Sequence, residues 1–311
     1  MNRPGARTLH LSKLHATGND FLVLVDTDGV WGERGAELMD RATRSALCDR
    51  ATGVGADGLI RILAGTGDAD ISMELANADG AWAEMSGNGI RCLAWVAAKH
   101  GLIGGSASTV DTMTVDTLAG VRTVDLDRSE GTGEVVSARV GMGAVTFDPT
   151  VIPLDAPSAF DLAIAAGDAR YRGDAAGMGN PHLVVVVDDP DAVPLAVHGP
   201  MIETDARFPA RTNVEFISPD GSRGLRMRVW ERGIGETRSC GTGACAAASV
   251  AHRRELVGAA VDVTVPGGKL RVELESSGSL DGEIYLSGPV VHVFDVDIDL
   301  DRLRSSAGPG I

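Results

Sequence analysis

Two stretches of the chain set a small nucleophilic side chain just before a glycine-rich turn: AEMSGNGIRC at 83–92 and TRSCGTGACA at 237–246. Laying Ser86 over Cys240 brings Gly87 onto Gly241 and Gly89 onto Gly243. Each motif runs into an alanine-rich segment whose spacing predicts a helix, over about 87–100 and 241–255. The start of a helix leaves backbone N–H groups unpaired and carries the positive end of the helix dipole, so it can hold a carboxylate. Glycines there let a ligand approach the backbone closely. The same field favours ionisation of a thiol, so Cys240 reads as a thiolate base or nucleophile beside an anion site. Ser86, taken alone, is a helix N-cap. Cys48, Cys92 and Cys245 fall on apolar helical faces and read as buried and inert.

Two such ends facing one cleft would stabilise charge developing beside a substrate carboxylate, which suits removal of an α-proton. An acid and a base on opposite faces of one carbon would give inversion.

The elements needed to position these motifs occur twice. In the first half, strand-like runs FLVLVD, GLIRIL and ISMELA precede the motif helix, and the hairpin TMTVDT/VRTVDL and the run VVSARVG follow it. In the second, HLVVVVDD, NVEFI and LRMRVWE precede the motif, and VDVTVPGGKLRVELE and EIYLSGP follow. Residues 36–50 and 194–205 have helical spacing. The repeat predicts an α+β protein of two pseudo-symmetric lobes, each a curved, mostly antiparallel sheet or barrel around a central helix, with the cleft between them. The first lobe spans 1–143 with return of the C-terminal strand 289–311; the second spans 144–288.

Composition excludes several classes. The net charge of −15 leaves no basic face for nucleic acid. No apolar run is long enough to span a membrane and no signal peptide opens the chain, so a cytoplasmic protein is expected. Four cysteines without a CxxC pair support neither a disulfide framework nor structural zinc. The histidines form no metal-ligand cluster, no glycine-rich nucleotide motif is present, and lysine occurs only at 13, 99 and 269, outside any cofactor motif. No metal and no cofactor are expected.

Over nearly its whole length the chain resembles the diaminopimelate epimerase family. The resemblance rests on KLHATGNDF (13–21), TGVGADG (52–58), ANADGAWAEMSGNGIRC (76–92), GNPH (179–182), RTNVEF (211–216) and ERGIGETRSCGTGACA (231–246). It implies a cofactor-independent isomerase that interconverts LL- and meso-diaminopimelate on the route to lysine and cell wall, and a homodimer, with an edge strand able to supply the interface. It makes Cys240 and position 86 the catalytic pair, with His182 near position 86 and Glu231 near Cys240 tuning them. It assigns substrate contacts to Asn19, Asn77, Asn180, Asn213, Glu231 and Arg232, the last suited to a distal carboxylate. The backbone at Gly87–Asn88 and Gly241–Thr242 would cradle the reacting carboxylate.

The chain departs from the family at two positions. Gly58 stands where glutamine is common, which puts one substrate contact in doubt. Ser86 stands where the second catalytic cysteine belongs. A thiol ionises within reach of neutrality, whereas a hydroxyl needs a base to take its proton. Three readings stay open: an engineered Cys→Ser change that traps one state, a natural variant in which His182 takes the proton through or instead of the hydroxyl, or one-base exchange at Cys240 alone; a form that only binds diaminopimelate is a further alternative. The rivals are a proline-racemase-like hydroxyproline epimerase or dehydratase, and a hydrolase built on Cys240 and His182.

Overall fold

The computed structural model describes residues 8–31, 40–103, 110–275 and 282–306. It divides into two compact units, one of residues 1–140 with 289–311, the other of 141–288. The first holds β1 (Thr8–Ala16), β2 (Asn19–Val25), α1 (Arg41–Cys48), β3 (Gly58–Ala64), β4 (Ile71–Asn77), β5 (Trp82–Ala83), α2 (Gly87–Lys99), β6 (Val110–Thr117), β7 (Gly120–Arg128) and β8 (Val135–Gly141). The second holds β9 (Leu162–Ala166), β10 (Ala169–Gly177), β11 (Pro181–Val186), α3 (Leu195–Glu203), β12 (Asn213–Asp220), β13 (Gly224–Glu231), β14 (Gly235–Thr237), α4 (Gly241–Arg253), β15 (Ala260–Val265), β16 (Gly268–Leu274) and β17 (Ile284–Pro289). The chain then returns to the first unit as β18 (Val291–Asp299) and α5 (Leu300–Ser306).

The two units are built alike, pairing by pairing. In the first, β18, β1 and β2 run antiparallel in turn, β2–β3 is parallel, β3–β4 antiparallel, β4–β6 parallel, and β6–β7–β8 antiparallel. In the second, β9, β10 and β11 run antiparallel in turn, β11–β12 is parallel, β12–β13 antiparallel, β13–β15 parallel, and β15–β16–β17 antiparallel. β5 and β14 are short strands beside β4 and β13. Strand for strand, β18 does for the first unit what β9 does for the second, which is why the C-terminus must return. Each sheet is mixed and open rather than closed into a barrel, so the barrel alternative gives way to an open sheet wrapped on a helix.

That helix is apolar on all sides, as a helix enclosed by a sheet should be. In α2, Ile90, Cys92, Leu93, Ala94, Val96 and Ala97 are buried; in α4, the run Ala244–Ala248 with Val250 and Ala251 is buried. Alanine keeps helix propensity high while letting strands approach. The segment 36–50 is helical only over Arg41–Cys48, opened by an Asp40 N-cap that accepts from Thr43 N–H; residues 36–39 of the expected helix lie outside the described residues.

One buried charge cluster ties the first sheet together. Arg61 on β3 donates to Asp26 at 2.8 Å and to Glu74 on β4 at 3.1 Å, all three shielded from water. Removing one partner strands a buried charge. Asp26→Ala is therefore expected to cost about 3–5 kcal/mol, read as a lower melting temperature and a lower urea midpoint.

Candidate active site

Each unit presents its nucleophile from the same backbone. Ser86 has φ −138° and ψ 122°, and its Oγ accepts from Gly89 N–H at 3.0 Å. Cys240 has φ −126° and ψ 119°, and its Sγ accepts from Gly243 N–H at 3.4 Å, with Thr242 Oγ1 at 3.5 Å. Both are N-caps in extended conformation, so hydroxyl and thiol occupy equivalent places at equivalent helix ends.

What lies behind them differs. Strand registers equate Phe21 on β2 with His182 on β11, since Phe21 pairs with Gly58 and His182 with Asn213 across the parallel step. They equate Gly58 with Asn213 and, two residues on, Ile60 with Glu215. Asn77, paired with Gly58, corresponds to Glu231, one residue past the Val214–Trp230 pair. Behind Ser86 the wall is apolar: a Cβ added to Gly89 would lie 3.1 Å from Ile60 and 3.5 Å from Phe21. Behind Cys240 the same places hold an imidazole and a carboxylate. His182 is wholly buried, its Nδ1 2.7 Å from Glu215 Oε1 and its Nε2 2.8 Å from Asn180 Oδ1. Both ring nitrogens are thus committed within the second unit, which leaves His182 no free nitrogen with which to serve Ser86.

This setting corrects the expectation of a Cys240 thiolate. The residue is 6% exposed. Burial first, then the Glu231 and Glu215 carboxylates beside it, push its thiol well above the usual value, outweighing the Thr242 and Gly243 hydrogen bonds that favour the anion. Cys240 rests as a thiol. Burial likewise raises the Glu231 carboxyl, against the hydrogen bonds it receives from the Thr237 hydroxyl and the Cys240 thiol. Acid and neighbour both favour their neutral forms, as fits a site awaiting a charged ligand. Cys48 and Cys92 are pushed by burial to about 12, in keeping with inert core thiols.

The asparagines divide by partner. In the first unit a chain of hydrogen bonds leaves no amide orientation open. The buried Arg91 Nη2 donates to Asn88 Oδ1 at 2.7 Å, Asn88 Nδ2 donates to Asn19 Oδ1 at 3.1 Å, and Asn19 Nδ2 donates to Asp57 Oδ2 at 2.8 Å. A guanidinium only donates and a carboxylate only accepts, so both amides between them are fixed. Arg50 bridges Asp57 and Asp20 at 2.7 and 2.6 Å, and Lys13 pairs with Asp20 at 2.7 Å. Burial acts to raise the Asp20 carboxyl, but hydrogen bonds from Arg50 and Lys13 prevail and hold it below the usual carboxylate range. Asp57→Asn frees Asn19 to rotate; a several-fold rise in KM with a smaller change in kcat is expected, from the loss of a charge-assisted hydrogen bond worth about 1.5 kcal/mol, and steady-state kinetics check it.

In the second unit, Asn213 Oδ1 accepts from Arg232 N–H and its Nδ2 donates to Pro181 O, both at 2.9 Å, so this residue braces the strand ends that carry its neighbours. Asn180 sits half-buried in the tight turn between β10 and β11. Arg232 is exposed, its Nη1 donating to Ala210 O at 3.1 Å. Asn77 is exposed at the end of β4. Gly87 and Gly241 are buried at the helix starts, Asn88 beside the first of them, and Thr242 is half-buried. At Gly58 a Cβ would fall 2.7 Å from Ala76 O and 3.1 Å from Phe21, so this chain has no room for a glutamine there.

Sequence reasoning missed Asp57, Arg91 and Glu215. Asp57 lay inside a glycine-rich loop, and nothing in the spacing marked Arg91. Glu215 had a signal: aligning GLIRIL with NVEFIS sets it over Ile60, an acid against an aliphatic residue. Among the described residues no cluster of His, Cys, Asp and Glu could hold a metal, and no helix is long and apolar enough to cross a membrane.

Solved structures share the fold: a hydroxyproline epimerase from Agrobacterium vitis, at TM-score 0.73 and 18% identity over 95% of this chain and 93% of that one, and a predicted epimerase from Pseudomonas aeruginosa, at TM-score 0.63 and 17% identity over 93% and 99%. Residues 11–147 and 175–293 match the model of the diaminopimelate epimerase family. Relatives named diaminopimelate epimerase include those of Pelotomaculum thermopropionicum, 41% identical over 92% of this chain and 97% of that protein, and Moorella thermoacetica, 40% over 94% and 100%. The chain belongs to the diaminopimelate epimerase family.

Proposed function

We propose that the protein interconverts LL- and meso-diaminopimelate by removing and returning an α-proton without a cofactor, in the cytoplasm, on the route to lysine and cell-wall precursors. The observation that carries this reading is the pair of equivalent helix N-caps, Ser86 and Cys240, in a chain that matches the family over most of its length. Cys240 exchanges the proton on one face of the carbon and position 86 serves the other. Glu231, against Cys240, tunes the thiol; His182 supports that half-site through its hydrogen bonds to Glu215 and Asn180. The cradles at Gly87–Asn88 and Gly241–Thr242 hold the reacting carboxylate. Asn19, Asn77, Asn180, Asn213 and Arg232 hold the rest of the substrate.

The test is incubation with LL-diaminopimelate in D₂O, following the α-protons by NMR. Deuterium in newly formed meso isomer is the expected result. Absence of any exchange sinks the reading and favours the hydrolase or binding-protein alternatives. The apolar wall of Phe21 and Ile60 behind Ser86 favours a second reading, in which exchange at the Cys240 face outruns inversion; deuterium retained in the LL isomer would show it. The hydroxyproline alternative rests on fold alone.

A homodimer is part of the proposal. β18 is hydrogen-bonded to β1 on one side and exposes Val291, Val293 and Phe294 at 45%, 49% and 41%. Exposed apolar strands of this kind pair with other chains. Phe294→Asp is expected to halve the mass seen by sedimentation; an unchanged mass places the contact elsewhere.

A further inference from the structure

Glu215 has no part in the chemistry above, yet three observations converge on it. First, it is 0% exposed, and its Oε2 has no hydrogen-bond partner among the described residues. A buried carboxylate with an unpaired oxygen is costly to keep. Second, the duplication supplies an internal control. The equivalent place in the first unit is filled by Ile60, packed against the equivalent helix turn, so the fold itself does not call for an acid there. Third, the acid reaches the thiol's own turn. A Cβ on Gly243 would lie 2.7 Å from Glu215 Oε1 and 3.3 Å from Cys240 Sγ, so carboxylate and sulfur flank one point. The glycine that looked like a provision for ligand admits this side chain.

We propose that Glu215 is a positioning residue for the Cys240 half-site: it clamps the His182 ring and, through Nε2, the Asn180 amide, and it sets a negative charge behind the Cys240 sulfur. The clamp follows from the hydrogen bonds. One proton lies between His182 Nδ1 and Glu215 Oε1, and Nε2 donates to Asn180 Oδ1, so the ring is held at both nitrogens and Asn180 turns its NH₂ away from the ring. A proton-sharing acid of this sort fixes an imidazole as carboxylates do behind metal-bound and catalytic histidines. Glu215 bears on the thiol beside Glu231, whose own carboxyl burial turns toward its neutral form. The groups that bear on Cys240 are Glu231 from β13, Glu215 from β12 with His182 of β11 bonded to it, and Thr242 and the Gly243 N–H from α4 itself. Phe21 and Ile60 give Ser86 no counterpart of this set.

The proposal rests on Cys240 as the group that exchanges the α-proton, and its test includes a readout that needs no substrate. Glu215→Gln keeps the shape and a hydrogen-bonding partner for His182 while removing the charge. Glu215→Ile copies the first unit. The first measurement is the pH dependence of Cys240 alkylation by iodoacetamide, scored by peptide mass spectrometry. The second is the pH profile, kcat and KM of exchange in D₂O. In Glu215→Gln the alkylation midpoint is expected to move to lower pH by about half to one unit, with the matching limb of the exchange profile. KM rises a few-fold as Asn180 loosens. Glu215→Ile is expected to lose exchange by about 100-fold, which Gln largely restores; should Ile fail to fold, Gln alone decides. Alkylation and exchange profiles in Glu215→Gln that overlay those of the unaltered protein overturn the proposal. No exchange in the unaltered protein overturns the functional reading instead, and the alkylation midpoint still decides the role of Glu215.

Discussion

Ser86→Cys is expected to raise the conversion of LL- to meso-diaminopimelate in D₂O by about 100-fold or more, within the range that a well-placed acid–base group contributes. The backbone is ready for the change. Ser86 and Cys240 cap their helices with matching dihedral angles, each accepting from the glycine N–H three residues on. Only the side chain is unequal to the task. A hydroxyl ionises far above the range where a thiol does, and it becomes a base only if a neighbour takes its proton. Phe21 and Ile60, the residues standing where the second unit has His182 and Glu215, cannot do so. His182 has both nitrogens engaged with Glu215 and Asn180. The unaltered protein should therefore make the meso isomer slowly, and the cysteine variant should make it faster. Equal rates in both proteins would mean that another group already serves the second face, and would remove Ser86 from the catalytic pair.

The architecture was legible because each central helix is apolar all round and each is followed by a hairpin with unambiguous turns. A duplicated order of strands, motif and hairpin has few ways to fold, and the need for a ninth strand per unit explains the return of the C-terminus. The strand pairings were less legible. The sheets are mostly antiparallel, as expected; parallel steps such as β2–β3 and β11–β12 join segments whose alternation looks the same whichever way they pair, so these steps were not foreseen.

The surroundings of Cys240 were not all legible in the sequence. A helix N-terminus argues for a thiolate only if nothing else acts on the sulfur. Glu215 arrives from β12 to join Glu231, already expected near Cys240, and burial adds to them. Spacing along the chain cannot show that these segments meet at one atom. The same reason hid the Arg91–Asn88–Asn19–Asp57 relay, whose members come from α2, β2 and the loop before β3. Gly58 was read as a missing contact; the carbonyl of Ala76 shows that the space itself is gone.

Cys240→Ala is expected to cut α-proton exchange by about 10³-fold and, with its cap lost, to lower stability by about 1 kcal/mol. Those two effects need separating, because Cys240 caps α4 through Gly243 N–H as well as facing the reaction. Cys240→Ser separates them. Serine is among the best N-caps and would hold the first turn as Ser86 holds that of α2, so the melting temperature should stay level or rise slightly. Chemically it makes both half-sites hydroxyls. The thiol can lose its proton when a bound substrate and the raised Glu231 carboxyl rearrange the charges around it; a hydroxyl in the same place starts several pH units further from ionisation. Exchange in Cys240→Ser should thus fall as far as in Cys240→Ala while thermal stability does not. If exchange survives in the serine variant within a few-fold, sulfur is not the proton carrier. The carboxylates Glu231 and Glu215 would then become the groups to test as the base.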